Sequence, residues 1–402
     1  MKDIVFVIGN YKNGGVARHA TNLACEFAKA GYNITLLATK SVASDIYFDF
    51  PDNVHLVSLD DYVTSLSFDE KEELSSNINK RIKRKKNIQY LYNFFNIINN
   101  NLNFNIRHLR QNKKMMYYAY RHRNCIYIPF GIGCYEQTYI AAENTGSKLI
   151  YAERNAPELE YPEDERERKR YFKILSKADG AVFQTENEIE FFGDTFKNAV
   201  VIHNPVKPNL PERFTGERRK TAVNFCRMSP QKNIKLMIDA FFMFHENHGD
   251  YDMLIYGNTV EESEEAYRDE MISYIKDKNA DGFIKILPPC ADVHEKIADC
   301  AMFVSSSDFE GLSNSMVEAM AIGMPCVCTD CLGGGARELI NDGENGVLVP
   351  MNDISALSDG MARVADDKNF SEKISENAYK IRDELTAEKI AEKWLEAINN
   401  IC

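Results

Sequence analysis

The feature that most constrains this chain is a rhythm repeated twice. Short apolar runs alternate with segments of helical spacing, and a proline-rich break separates the two rounds. In the first round the runs are Ile4 to Ile8, Ile34 to Ala38, Val54 to Val57, Cys125 to Ile128, Lys148 to Tyr151, Gly180 to Phe183 and Val200 to Ile202. In the second they are Val223 to Cys226, Asp252 to Tyr256, Ile284 to Leu287, Met302 to Val304, Cys326 to Cys328 and Gly346 to Val349. Strands that alternate with helices cannot pair as hairpins. They pair in parallel through crossovers, which buries the sheet between helical layers. The chain is therefore expected to be α/β, with two doubly wound, Rossmann-like parallel sheets.

The first unit shows the local logic. Ile4 to Ile8 breaks at Gly9, a polar loop ends in Gly14-Gly15, and apolar residues from Val16 to Ala28 then recur at helical spacing until Gly31. The break lies at His203 to Pro211, where Pro205, Pro208 and Pro211 occupy three of seven residues and suit a linker. After Pro350 the sequence reads as helical to its end. These boundaries divide the chain into an N-terminal domain over 1–203, a C-terminal domain over 204–380 and a closing helix over 381–402. Sheets of this kind gather ligand loops at the carboxyl ends of their strands.

Composition narrows the function classes. The chain has 402 residues, 48 Lys and Arg against 60 Asp and Glu, and a net charge of −12, which argues against a general nucleic-acid binder. No stretch reaches the length of apolar sequence that a membrane span needs. MKDIVFVIGN reads as a first buried strand rather than a signal peptide, so a cytoplasmic protein with reduced cysteines is expected. The ten cysteines are scattered without a histidine cluster and read as core filler. The charge is unevenly placed. From Lys80 to Arg123 there are twelve Lys or Arg and no acid, leaving 36 positive against 60 negative residues elsewhere.

Four segments can carry chemistry. Gly14-Gly15, between first strand and first helix, lets the backbone approach a ligand and offers helix N–H groups to an anion; a turn needing positive φ is the plainer reading. It is not a dinucleotide fingerprint. Arg227 and Lys232 follow the second round's first strand, where a planar donor and a point cation suit a diphosphate or simply begin a solvated helix. The sharpest element runs from Ser305 to Ala321. Glu310 and Glu318 are eight residues apart, about 80° on one continuous helix, so they converge if Glu310 sits on the loop and Glu318 on the helix's inward face. Ser313 or Asn314 could cap that helix. The two carboxylates could accept hydroxyls of a sugar and a ribose, with a phosphate at the helix N-terminus between them. Gly333-Gly334-Gly335 repeats the theme of glycine loop and helix.

Taken in order, Gly14-Gly15, Asn204-Pro205, Arg227 to Lys232, Glu310-Gly311-Leu312 through Glu318-Ala319, Gly323-Met324-Pro325, Gly343 to Gly346 and Val349-Pro350 resemble the motif series of retaining GT-B glycosyltransferases of family 4. The likeness is greatest to bacterial members that build capsule, O-antigen or exopolysaccharide. It implies two Rossmann-like domains facing across a cleft, with a C-terminal helix crossing back to the first. The implied donor is a nucleotide-sugar, most naturally UDP-linked, and the implied acceptor is a hydroxyl of a glycan or lipid-linked glycan. By the same resemblance Arg227 and Lys232 neutralise the pyrophosphate and the Gly15 amide approaches the distal phosphate. Glu310 contacts the donor sugar, Gly311, Leu312 and Ser313 frame it, and Glu318 holds the ribose. No metal or other cofactor is implied, and Asp308-Phe309-Glu310 belongs to the Glu-x7-Glu loop.

Where many members carry a histidine against the donor sugar, this chain has Tyr151-Ala152-Glu153-Arg154-Asn155-Ala156-Pro157. Glu153 could orient an acceptor hydroxyl and Arg154 could stabilise a phosphate; a strand end held by local hydrogen bonds is the alternative. Residues 80–123 interleave cations with aromatics and methionines. That composition suits peripheral docking on an anionic membrane face, less well RNA, or an ordinary helix pair with a basic surface. Two other functions fit the architecture: a UDP-sugar epimerase, which the Glu-x7-Glu spacing argues against, and a non-catalytic accessory subunit that binds nucleotide or membrane.

Overall fold

The computed structural model describes residues 3–11, 15–40, 50–51, 53–84, 102–259 and 262–402, with side chains described outside 79–84 and 102–111. Gly14 lies outside the described residues. The first sheet has seven strands: β1 (Ile4–Ile8), β2 (Ile34–Ala38), β3 (Val54–Ser58), β4 (Ile126–Pro129), β5 (Lys148–Ala152), β6 (Gly180–Phe183) and β7 (Ala199–Val201), in the order β3-β2-β1-β4-β5-β6-β7. The second has six: β8 (Arg219–Arg227), β9 (Asp252–Asn258), β10 (Ile284–Leu287), β11 (Cys300–Ser305), β12 (Cys326–Asp330) and β13 (Val347–Pro350), in the order β10-β9-β8-β11-β12-β13. Neighbouring strands pair in parallel throughout, as in Ile4 opposite Ile34 and Val223 opposite Leu254.

In both sheets the chain starts centrally, winds to one edge and returns to wind to the other. The reversal falls between β1 and β4 in the first and between β8 and β11 in the second, the two points where loops part and leave a crevice. Every apolar run read from the sequence is a strand. Strand β8 is longer than its apolar run because Arg219 and Lys220 extend it as exposed residues, with Asp299 and Asp250 taking their charges.

The helix Ala387–Ile401 crosses back to the first domain. It buries Ile390, Ala391, Trp394, Ala397 and Ile398, and one continuous apolar cluster joins Trp394 to Phe6, Phe27 and Phe130 beneath β1 and β4. The proline-rich stretch is fastened as it passes: the Val206 amide donates to Leu385 at 2.8 Å, and Arg382 donates to the carbonyls of Leu210 and Pro211 at 2.8 and 2.6 Å.

Residues 68–84 and 102–121 are helical, but most of the basic segment's side chains lie outside the described residues. The described part corrects one expectation. Met115, Met116, Tyr117, Tyr118 and Tyr120 are buried in the first domain's core rather than offered to a membrane. Lys114 is paired with Asp60 and Arg121 with Glu70. Apolar residues on the inner face of a helix follow the sheet they cover, whatever cations flank them. No helix among the described residues is long and apolar enough to cross a membrane.

Candidate functional site

The carboxyl ends of β1, β5, β8 and β11 face one another across a cleft of about 690 Å³ bounded by both domains. The first domain contributes Gly15, Arg18 and His19 from its first helix, with Arg154 and Asn155 after β5. The second contributes Arg227 at the end of β8, Gln231 and Lys232 just after it, and Glu310, Leu312, Ser313 and Glu318 after β11. The structure therefore brings together Gly15, Arg227, Lys232, Glu310, Leu312, Ser313, Glu318 and Arg154 of the residues singled out in the sequence.

Glu310 sits on the loop and Glu318 on the helix Asn314–Ala321, as their spacing required. Glu310 is paired with Lys232 and also accepts the Ser307 hydroxyl at 3.0 Å. Burial disfavours the Lys232 cation, but Glu310 outweighs burial and raises its ammonium above the usual value. Asp308 accepts from the Asn233 amide at 2.8 Å, so it belongs to the loop's internal bonding. Arg227 is half exposed and paired with Glu264 at 3.0 Å.

Glu318 joins the two domains. Its Oε1 accepts from Arg18 at 2.6 Å and its Oε2 from His294 at 2.8 Å. Burial opposes its charge, but the His294 hydrogen bond and the Arg18 guanidinium prevail and hold the carboxyl below its ordinary range. Neither Arg18 nor His294 stood out in the sequence. Arg18 lies one turn after Gly15 and so shares its face, a signal that was available; His294 comes from a distant helix, Val293–Ile297, and carried none.

The helix at Asn314 starts without the side-chain cap expected of Ser313 or Asn314. Ser313 makes no hydrogen bond to the helix backbone, and Asn314 turns to Asn204 at 3.1 Å. Its first N–H groups are thus left to whatever occupies the cleft. Opposite, a methyl carbon added at Gly15 would lie 3.4 Å from the side-chain amide nitrogen of Asn314, so the two helix starts lie within side-chain reach of each other.

Three expectations are corrected. Glu153 is fully buried and does not bound the cleft. It accepts from the Tyr151 hydroxyl at 2.5 Å and from the amides of Arg154 and Asn155 at 2.7 and 3.3 Å, the strand-end reading. Burial and the Glu160 charge push its carboxyl up to about 8. Gly311 packs rather than lines: a methyl there would meet Gln184 Oε1 at 2.6 Å and the Arg154 carbonyl at 3.2 Å. The triple glycine is no second phosphate loop. A methyl on Gly333, whose φ is +82°, would lie 2.0 Å from the Glu310 carbonyl oxygen, and one on Gly335 would lie 1.6 Å from that of Gly311. These glycines let one loop seat the other.

Among the described residues no group of three His, Cys, Asp or Glu is placed to hold a metal ion, and all ten cysteines are free thiols.

Residues 208–381 match the family model described as glycosyl transferases group 1. The chain is 28% identical over 210 residues to the poly(ribitol-phosphate) alpha-N-acetylglucosaminyltransferase of Staphylococcus aureus, covering 51% of this chain and 39% of that protein. It is 26% identical over 243 residues to the poly(glycerol-phosphate) alpha-glucosyltransferase of Bacillus subtilis, covering 58% of this chain and 34% of that one. The matches thus span less than half the length of either relative. Among solved structures, TarM superposes with a TM-score of 0.74 at 15% identity, over 99% of both chains. Anabaena HepE in complex with UDP-glucose does so with a TM-score of 0.72 at 16% identity, over 100% of both. The chain has the GT-B fold, and its residues 208–381 resemble the glycosyl transferases group 1.

Proposed function

We propose that this protein is a retaining, metal-independent glycosyltransferase of family 4, moving a sugar from a UDP-linked donor to a hydroxyl of a glycan or lipid-linked glycan during synthesis of a cell-surface polymer such as a capsule. The observation that carries the reading is the pairing within the cleft. Lys232 neutralises Glu310 and Arg18 neutralises Glu318, so each carboxylate stands where a ligand's charge would draw the cation away. With a nucleotide-sugar bound, Lys232 and Arg227 turn to the diphosphate, and the uncapped helix start at Asn314 with the Gly15 amide completes its neutralisation. Glu310 is released to the donor sugar's hydroxyls and Glu318 to the ribose.

Charge develops on the leaving diphosphate as the glycosidic bond breaks. Fixed cations and helix dipoles in a closed cleft stabilise that charge without reorganising. Burying the donor between the two domains also keeps water from the sugar. No side chain is assigned as general base: in front-side transfer a leaving phosphate oxygen takes the acceptor proton.

The family match over 208–381, the UDP-glucose complex of HepE and the polymer-modifying relatives support this reading. Its test is to incubate the chain with UDP-sugars and alcohol acceptors in the presence of a chelator, following UDP release and the anomeric configuration of the product by NMR. An α-linked product from an α-linked donor is expected. A β-linked product overturns retention, dependence on added metal overturns the metal-independent reading, and absence of UDP release with every donor favours the accessory subunit.

The cations of residues 80–110, on which peripheral docking to an anionic membrane face rests, are tested by vesicle sedimentation. Neutralising Lys83, Arg84, Lys85 and Lys86 together is expected to release the protein from anionic vesicles, and unchanged sedimentation refutes the docking.

A further inference from the structure

The cleft floor holds a polar cluster outside the residues assigned above to the donor. Arg154 is 7% exposed, and none of its three guanidinium nitrogens has a hydrogen-bond partner among the described residues. The cation rests on two ring faces, Phe130 with its centroid at 5.3 Å and Trp394 at 5.4 Å. His19 is 3% exposed and flanks the same rings, with both ring nitrogens also unpartnered among the described residues. Gln184 is a third side chain with an unpartnered atom among the described residues, its Oε1, its Nε2 being given to Asn204 at 2.8 Å. All three side chains belong to residues that bound the cleft.

The neighbouring acids Glu153 and Glu188 favour this charge through space but accept no hydrogen bond from the guanidinium. Glu153 spends its oxygens on Tyr151 and two backbone amides, and Glu188 accepts the Gln184 amide at 2.7 Å. Burial raises both carboxyls, that of Glu153 to about 8. Burial lowers the Arg154 guanidinium only to about 10, which leaves it charged. Ring faces offset part of the cost of burying a cation, but a guanidinium with no acceptor is the most expensive kind of unsatisfied group. Its planar fork of five N–H donors matches an oxyanion, and an adjacent imidazole adds one donor or acceptor.

We propose that Arg154, with His19, seats a second anionic group inside the cleft, a phosphate ester or carboxylate carried by one of the two substrates and separate from the donor diphosphate. Arg154 follows β5 in the first domain, across the cleft from Arg227 and Lys232 in the second, so the group belongs first to the acceptor. Assigning it to an acceptor rests on the transferase reading; the anion subsite itself does not.

The chain's single tryptophan is Trp394, whose ring the guanidinium covers, so its emission reports on the cluster directly. With UDP present to fill the donor site, glycerol 3-phosphate is expected to change that emission saturably and glycerol is not. Arg154→Met keeps the stem that packs on the rings and loses the charge. It should weaken glycerol 3-phosphate by about 10- to 100-fold, the worth of one or two charge-assisted hydrogen bonds, with UDP affinity unchanged. Should that variant fail to fold, Arg154→Lys, which keeps the charge without the fork, and His19→Gln are each expected to weaken the phosphate ester.

Inorganic phosphate binding as well as the ester identifies a free-anion site. A larger emission change with UDP-glucuronate than with UDP-glucose, lost in Arg154→Met, gives the group to the donor sugar. No saturable change with any of these probes means the cluster holds water only and overturns the proposal. So does equal binding by Arg154→Met and the parent chain. Glycerol 3-phosphate still read by Trp394 when no nucleotide binds refutes the transferase reading and leaves the subsite standing.

Discussion

Glu318 offers the clearest perturbation, because its two oxygens are divided between the domains. Oε1 is held by Arg18 of the first at 2.6 Å and Oε2 by His294 of the second at 2.8 Å. Removing one partner of a fully buried ion pair costs about 3–5 kcal/mol. The Glu318 side chain is 6% exposed but that of Arg18 is 33% exposed, so solvent screens the pair from one side. A coupling of about 1–2 kcal/mol is the expected size. It is measured as a double-mutant cycle of Arg18→Met and Glu318→Gln in thermal unfolding. For a domain of about 200 residues each kcal/mol moves the midpoint by roughly 2–4 °C, so the double variant should melt about 2–8 °C above the additive expectation. Glu318's carboxyl is depressed in the folded protein, so the pair contributes fully above the ordinary carboxylate range and is lost as the pH falls through the lowered value. Glu318→Gln should also lose most of the stabilisation by UDP, about 2.7 kcal/mol for a ligand at a hundred times its Kd. Additivity within about 0.5 kcal/mol refutes the bridging role. A full UDP shift in Glu318→Gln refutes the ribose assignment.

Three further outcomes are expected. Glu153, raised from 4.5 to about 8, favours the folded state fully below its ordinary value and less as the pH rises through 8. The melting midpoint should therefore fall between about pH 5 and 9, and Glu153→Gln should flatten that slope; an unchanged slope removes Glu153 as its source. Gly335→Ala forces a methyl against a backbone carbonyl that cannot yield, so it should abolish the UDP-induced shift while circular dichroism stays that of a folded chain; an undiminished shift contradicts the loop-seating role. Lys232→Ala should lower the transfer rate by about 10²–10³-fold, since the lost cation is aimed at developing charge. The half-exposed Arg227, replaced by alanine, should cost less, and initial rates showing the reverse order would sink that ranking.

The fold was legible because burial on both faces forces a parallel strand to be apolar over its whole length, and glycine and proline mark its ends. That signal is local, and each strand carries it independently. The pairing of Glu310 with Glu318 was legible for a related reason: a loop followed at once by a helix fixes the direction of both carboxylates within one short segment. Glu153 and Arg154 show where such reasoning stops. They are adjacent, both charged and both buried, yet a strand end turns one into the domain and the other onto the cleft floor. Met115 to Tyr120 misled for the same reason, since the cations around them are visible in the sequence while their inward turn depends on the sheet beneath them.

What the sequence determined by itself was the set of elements, their parallel order and the loops whose residues line the cleft. Only the tertiary structure decided what those residues face. Arg18 and Glu318 are three hundred positions apart, and Trp394 reaches Arg154 only because the closing helix recrosses the molecule. Periodicity records which side of an element is buried. Which charge lies opposite depends on how the chain returns, and contacts of that range leave no trace in local spacing.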